Sequence, residues 1–177
     1  MRKTMIGGAA AFALFSSSMA QAAAPGACIT LAEARGLIAY MAPGAIHKLG
    51  EACSAHVGRG DYLNAGLPAL EQRYAAGRDA AWPMARAAIA KFAGQGQDAI
   101  DFSKLSDEAI RPLADEIITS KMDFKLTAAE CLDAQDIAVA LDPIAPNDAF
   151  ALVMAIVGVV ARKDKSMPIC PREAAAK

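Results

Sequence analysis

Aromatic residues supply only 6% of this 177-residue chain, tryptophan occurs once and histidine twice. So small a stock of imidazole leaves few routes to metal binding or to proton transfer near neutral pH. The four cysteines never fall into a Cys-x-x-Cys pair, which removes haem attachment and the common zinc frameworks. There is no Gly-x-Ser-x-Gly elbow, no calcium-type run of alternating oxygen ligands, and no glycine-rich stretch placed after a strand. No strand-like alternation follows residue 22. Long hydrophobic runs are missing too, since the two best fall well short of the roughly 20 residues that span a bilayer. No cofactor, metal site or catalytic residue is implied by these absences or by any motif present.

What is present begins with MRKTMIGGAAAFALFSSSMAQAAAPGAC: Arg2-Lys3, an apolar run from Met5 to Phe15, then small and polar residues. That order is a secretory signal peptide, with cleavage expected after Ala22, where Ala20 and Ala22 supply the small-residue pattern. Residues 1-22 are therefore assigned to a cleaved leader, and 23-177 to a single helical domain with a short C-terminal tail. Loss of Arg2 and Lys3 from 18 basic residues, against 19 acidic ones, leaves a formal charge of -3. No basic stripe survives to neutralise phosphates, which argues against nucleic-acid binding. The expected location is periplasmic or secreted, with no stable membrane insertion after cleavage.

An even number of cysteines in an exported chain reads as two disulfides. Thr30 and Glu33 form a capping-box pattern that starts a helix, and Leu31, Ala34, Ile38 and Met41 recur at helical spacing as far as Pro43-Gly44. Pro43 opposes continuation, so a second helix carrying Ile46, Leu49 and Cys53 is expected to fold back, bringing Cys53 beside Cys28. The same logic applies downstream: Thr127 and Glu130 make a second box, Leu132, Ala138 and Leu141 continue to Asp142-Pro143, and Asn147 is the expected N-cap of the next helix. That hairpin would bring Cys170 to Cys131. The expected fold is all-α: a bundle of six or seven short helices with two stapled αα-hairpins, Cys28 with Cys53 and Cys131 with Cys170.

Between the staples, Leu67, Leu70 and Tyr74 share a stripe with Pro68 in the first turn, and Trp82, Ala85, Ile89 and Phe92 keep helical period from Asp79 to Gly94. GQGQDAIDFSK, residues 94 to 104, reads as the longest loop. Ser106 is the expected N-cap of a further helix, with Leu105 stapled onto Ile110 and an inner face of Ile110, Leu113 and Ile117. DFSKLSDE and DFKLTAAE resemble each other, but their spacing of about 22 residues is too short for a repeat unit of two helices.

The candidates for chemistry are sparse. His47 and Glu51 lie one turn apart and could give two zinc ligands, with no third in view; His56 points elsewhere. Glu130, Asp133 and Asp136 line one helical face near a helix start, where negative charge is favourable without any catalytic role. Arg59-Gly60-Asp61 spells an adhesion tripeptide, yet within Gly58-Arg59-Gly60-Asp61 it reads as a turn. The leading expectation is a non-enzymatic module that binds a protein or is structural. The alternative is a carrier or chaperone holding an apolar small molecule among Trp82, Met84, Ile89, Phe92 and Met154; a carboxylate hydrolase ranks third.

The last feature is AFALVMAIVGVVARKDK, thirteen uncharged residues from Ala149 to Ala161 followed by Arg162 and Lys163. A rise of 1.5 Å per residue makes the run about 20 Å long, short of a hydrocarbon core of about 30 Å. A helix apolar nearly all round is expected to be buried, and this one is expected to form the centre of the bundle. Were its wide arc of Phe150, Val153, Met154, Val157 and Val160 exposed instead, that arc would be the leading site for a partner or ligand.

Overall fold

The computed structural model describes residues 28–93, 105–164 and 168–170. The expected leader 1-22, its cleavage site and the 94 to 104 loop lie outside the described residues, as does the tail beyond Cys170. Seven helices are described: α1 Leu31–Cys53, α2 Tyr62–Ala65, α3 Leu67–Ala75, α4 Arg78–Ala93, α5 Asp107–Lys121, α6 Ala128–Leu141 and α7 Pro146–Lys163. The all-α expectation holds, and among the described residues sheet is confined to one parallel bridge between Ile29 and Ile169.

The centre of the fold is α1. Its start follows the capping box, with Glu33 N–H donating to Thr30 Oγ1 and Thr30 N–H donating to Glu33 Oε2. The expected break at Pro43 does not occur, because α1 runs through Pro43 to Cys53, about 35 Å at helical rise. Proline removes one intrahelical hydrogen bond, but Pro43 is buried, and packing along both halves of α1 outweighs that local loss.

Helix α4 runs antiparallel to α1 and crosses it closely at Gly36. A Cβ on Gly36 would overlap the Met84 Cβ and press to 3.1 Å from the Ala85 backbone nitrogen. Small Ala85 and Ala88, both fully buried, complete this approach. Towards the start of α1, Lys91 Nζ donates to Glu33 Oε2 at 2.7 Å. At the other end of α4, Trp82 packs on Tyr40 with ring centroids 4.9 Å apart.

Helix α5 docks on that aromatic pair. Ile110 and Ala114 are buried beside Tyr40 and Trp82, Arg111 lies over the Trp82 ring at 4.9 Å, and Tyr40 Oη donates to Asp115 Oδ1 at 2.7 Å. The Leu105 staple forms, since Leu105 packs against the same cluster. The expected inner face is corrected: Ile110, Ala114 and Ile118 point inwards, while Leu113 and Ile117 are exposed. A stripe at i, i+4, i+8 replaces i, i+3, i+7, turned by the demand that Asp115 reach Tyr40 and Arg78.

The second half of α1 packs with the Leu67, Leu70 and Tyr74 stripe of α3, all three buried as expected, and with Leu63 of α2. Helix α6 joins them through Cys131 and Ala138, leaving Leu132 exposed. Its C-terminal Asp142 accepts from Tyr62 Oη and from Arg73, tying α6 to α2 and α3.

The disulfides join other partners than the hairpin argument expects. Cys53 is bonded to Cys131, and Cys28 to Cys170. Both corrections follow from α1. As one continuous helix it carries Cys53 far from Cys28, and delivers it to the buried start of α6 where Cys131 sits. Cys28 is left at the opposite end, where the returning C-terminal segment meets it: Ile29 N–H donates to Pro168 O and Cys170 N–H to Ile29 O, both at 2.9 Å.

Candidate functional site

Helix α7 starts at Pro146, one residue before the expected Asn147 cap, with proline in the first turn where its missing N–H costs nothing. Asn147 instead accepts from Arg35 Nη2 at 3.4 Å. The helix lies antiparallel to α1, with Phe150 edge-on to Tyr74 of α3, Met154 packed with Ile29, Ala34 and Ala88, and Gly158 facing Leu31, with room there for a Cβ at ordinary contact distance. Val157 closes the same narrow stripe.

This arrangement corrects the expectation of a buried central helix, and also the arc expected to matter: Phe150 and Met154 are buried and Val157 is half-buried, so of the wide arc Val153 and Val160 alone are exposed, beside Leu152, Ile156 and Val159. Leu152 is 55% exposed and Ile156 48%, and Val153, Val159 and Val160 are exposed beside them. At 100° per residue these five side chains fill an arc of about 120° centred on Ile156. Helix α1, with Tyr74 of α3 and Ala88 of α4 beside it, covers one side of α7; the apolar arc centred on Ile156 has no neighbour of its own among the described helices. A contiguous apolar face of this kind marks an interaction surface more often than an accident of packing. Asp148 stands exposed at one end of the face, Arg162 and Lys163 at the other, each also suited to its own helix terminus. Neither Asp148 nor Arg162 has an ion-pair partner among the described residues.

The five residues named for an apolar ligand are distributed rather than gathered. Trp82 is buried with Tyr40, Ala85, Ile110 and Ala114, and Ile89 packs against that cluster. Phe92 and Met154 belong to the cluster around Ile29, Ala34 and Ala88. Met84 is on the surface, 44% exposed.

His47 acquires a second carboxylate that the sequence did not point to. Its Nε2 lies 3.4 Å from Glu51 and its Nδ1 3.3 Å from Glu71 of α3. The two acids approach opposite ring nitrogens, so one metal ion could not engage them together with the imidazole. No group of three His, Cys, Asp or Glu among the described residues is placed to hold a metal. Glu130 is occupied in its capping box, where the Thr127 backbone N–H and hydroxyl hold its carboxyl below the usual range. Asp133 and Asp136 are exposed. Asp61 closes the glycine turn, accepting from Gly58 N–H at 2.7 Å and standing at the N-cap of α2.

The most connected polar cluster outside α7 is structural. Arg78 lies over the Tyr40 ring at 4.3 Å while pairing with Asp115. Burial pushes the Tyr40 phenol up to about 12, the hydrogen bond to Asp115 pushes in the same direction, and Arg78 opposes both. Every member of the cluster is engaged in docking α5 onto α1 and α4.

No family model, curated protein or solved structure matches this chain. Among the described residues no helix is long and apolar enough to cross a membrane. Two disulfides indicate an oxidising, extracytoplasmic compartment.

Proposed function

We propose that this chain is an exported periplasmic protein whose role is to bind another protein through the exposed face of α7. The observation that carries this reading is the arc from Leu152 to Val160, five large apolar side chains exposed on one side of a helix whose other side is packed. Burying such a side chain is worth roughly 1.5 to 3 kcal/mol when complete, so a partner that covers the arc recovers a substantial driving force. The leader-like segment Arg2 to Ala22 and the two disulfides support the location. The carrier reading draws less support, because its five residues divide between two core clusters and the surface.

A photo-crosslinking amino acid placed at Ile156 in cells tests the reading, with Gln72 on the exposed side of α3 as the control position. Protein adducts at Ile156 and none at Gln72 are expected. Equal labelling at both positions, or none at either, sinks the proposal.

A further inference from the structure

We infer that the partner of the α7 face is a second copy of this chain, paired α7 to α7 in antiparallel fashion about a two-fold axis at Ile156. The inference rests on the reading of α7 as a protein-binding face and names its occupant. A two-fold interface requires a self-complementary patch, and the face meets that condition in shape and in charge. With Ile156 on the axis, Leu152 meets the second copy's Val160 and Val153 meets the second copy's Val159, so large apolar groups oppose each other along the whole arc. The exposed spacing Leu152, Ile156, Val159, Lys163 alternates four and three residues, the seam by which two helices interlock.

Charge settles the direction. Asp148 lies eight residues before the axis and Arg162 six after it, so antiparallel pairing brings them within about 3 Å along the helix. Both stand on the same flank, about 80° and 120° round from Ile156 in the same sense. A two-fold axis across the helices keeps that flank on one side, placing Asp148 within about 1.5 Å along the helix of the second copy's Lys163, which lies about 20° from the contact line, with Arg162 beyond it on the same flank. Parallel pairing about an axis along the helices would put the two Asp148 side chains at one level on opposite flanks, with no opposite charge facing either. The dipoles of two antiparallel helices add to the same preference.

The face is modest beside the roughly 800 Å² that each partner contributes to a standard interface, so the dimer is expected to form at tens of micromolar and dissociate on dilution. Sedimentation equilibrium of the oxidised, exported chain reads this directly. Ile156→Glu, at an exposed position that leaves folding intact by circular dichroism, should weaken association on the order of a hundredfold. Asp148→Arg should weaken it about tenfold, and combining it with Arg162→Asp and Lys163→Asp should restore association. Ile156→Cys, on the axis, should oxidise to a disulfide-linked dimer.

A chain that stays monomeric at millimolar concentration overturns the inference, as does a dimer indifferent to both Ile156→Glu and Asp148→Arg. If that monomer still crosslinks from Ile156 to a different protein, self-association fails and the protein-binding reading stands. Co-sedimentation of the monomer with anionic phosphatidylglycerol vesicles, lost in Ile156→Glu and without protein adducts, would overturn both.

Discussion

Cys28 is bonded to Cys170, 142 residues away, so the segment that precedes α1 and the segment that follows α7 are locked side by side. With Cys53–Cys131 nested inside it, the domain is a closed covalent loop containing a second one. Loops of 142 and 78 residues are each expected to contribute on the order of 4 to 5 kcal/mol by chain entropy. Peptide mapping without reduction should recover Cys28 with Cys170 and Cys53 with Cys131; a Cys28–Cys53 peptide would contradict the fold. Replacing Cys28 and Cys170 together by serine should lower unfolding free energy by about 3 kcal/mol or more and weaken protection of α7 amides first. The clasp residues Ile29 and Ile169 pack in the same cluster as Met154 and Val157.

Gly36 sets the distance between α1 and α4. An alanine Cβ there meets the Met84 Cβ and the backbone of Ala85, neither of which is the free end of a flexible chain, so the helices themselves must separate. Alanine ordinarily improves a helical glycine position by about 1 kcal/mol. Here overpacking costs about 1 to 3 kcal/mol and the sign reverses. Urea denaturation of Gly36→Ala should show a net loss; a gain in stability would mean that α4 does not cross α1 at this point.

Glu33 couples the start of α1 to α4 and makes stability depend on acid. Burial at 9% exposure raises its pKa, but hydrogen bonds from Lys91 and Thr30, with the Lys91 charge, outweigh burial and hold the carboxyl below its ordinary 4.5. A depressed folded-state pKa gives stability that is complete above about pH 4.5 and is lost as pH falls through the lower folded value. Glu130 and Asp142 are shifted the same way, so the wild type alone does not isolate Glu33. Lys91→Met should cost roughly 1 to 2 kcal/mol at neutral pH, and the difference from wild type should shrink in acid. A difference that stays constant with pH would mean that the Lys91–Glu33 contact carries no charge-dependent stability.

Much of the local structure was legible in the sequence. Both capping boxes form at the threonines that announce them, Thr30 and Thr127, because a cap is a contact among four neighbouring residues and needs nothing from the rest of the fold. The Leu67, Leu70, Tyr74 stripe was legible for the same reason. Pro43 was misleading: its cost is local, while the packing that overrides it comes from α3 and α4, distant in sequence. The expected disulfide pairing depends on the same fold-back at Pro43 and fails with it, because a continuous α1 carries Cys53 away from Cys28. For α7 the periodicity could say that nearly every side is apolar, but not how many neighbours the fold would supply. The fold supplies α1, Tyr74 of α3 and Ala88 of α4 on one side, and the candidate site is the arc they leave exposed.

Alkaline pH probes how α5 is docked. Tyr40, with its hydroxyl donating to Asp115, is raised to about 12 from an ordinary 10. A raised folded-state pKa means stability is intact below about pH 10 and is lost as pH rises towards 12. Tyr62, pushed to about 12 by burial and by its bond to Asp142, acts in the same window. Tyrosinate absorbance should therefore appear together with loss of helix. Tyr40→Phe should leave one step fewer and cost about 1.5 kcal/mol at neutral pH, the scale for a hydrogen bond to a charged acceptor. Early titration of Tyr40 in the folded protein would show that α5 is not held as described.

Met154 and Ile156 test the orientation of α7 from within one turn. Met154 is 9% exposed among Ile29, Ala34 and Ala88, whereas Ile156 is 48% exposed on the opposite side. Truncating a buried methionine to alanine removes its apolar contacts and leaves a cavity, at about 2 to 3 kcal/mol. Truncating Ile156 removes nothing that is packed in the monomer and exchanges a β-branched residue for the best helix former, so the change should lie within about 0.5 kcal/mol and favour the variant. Measured by urea at low micromolar concentration, where self-association is negligible, the two variants should separate by roughly 2 kcal/mol or more. Comparable losses at both positions would mean that the arc is covered within the monomer, and the surface on which the proposed function depends would not exist.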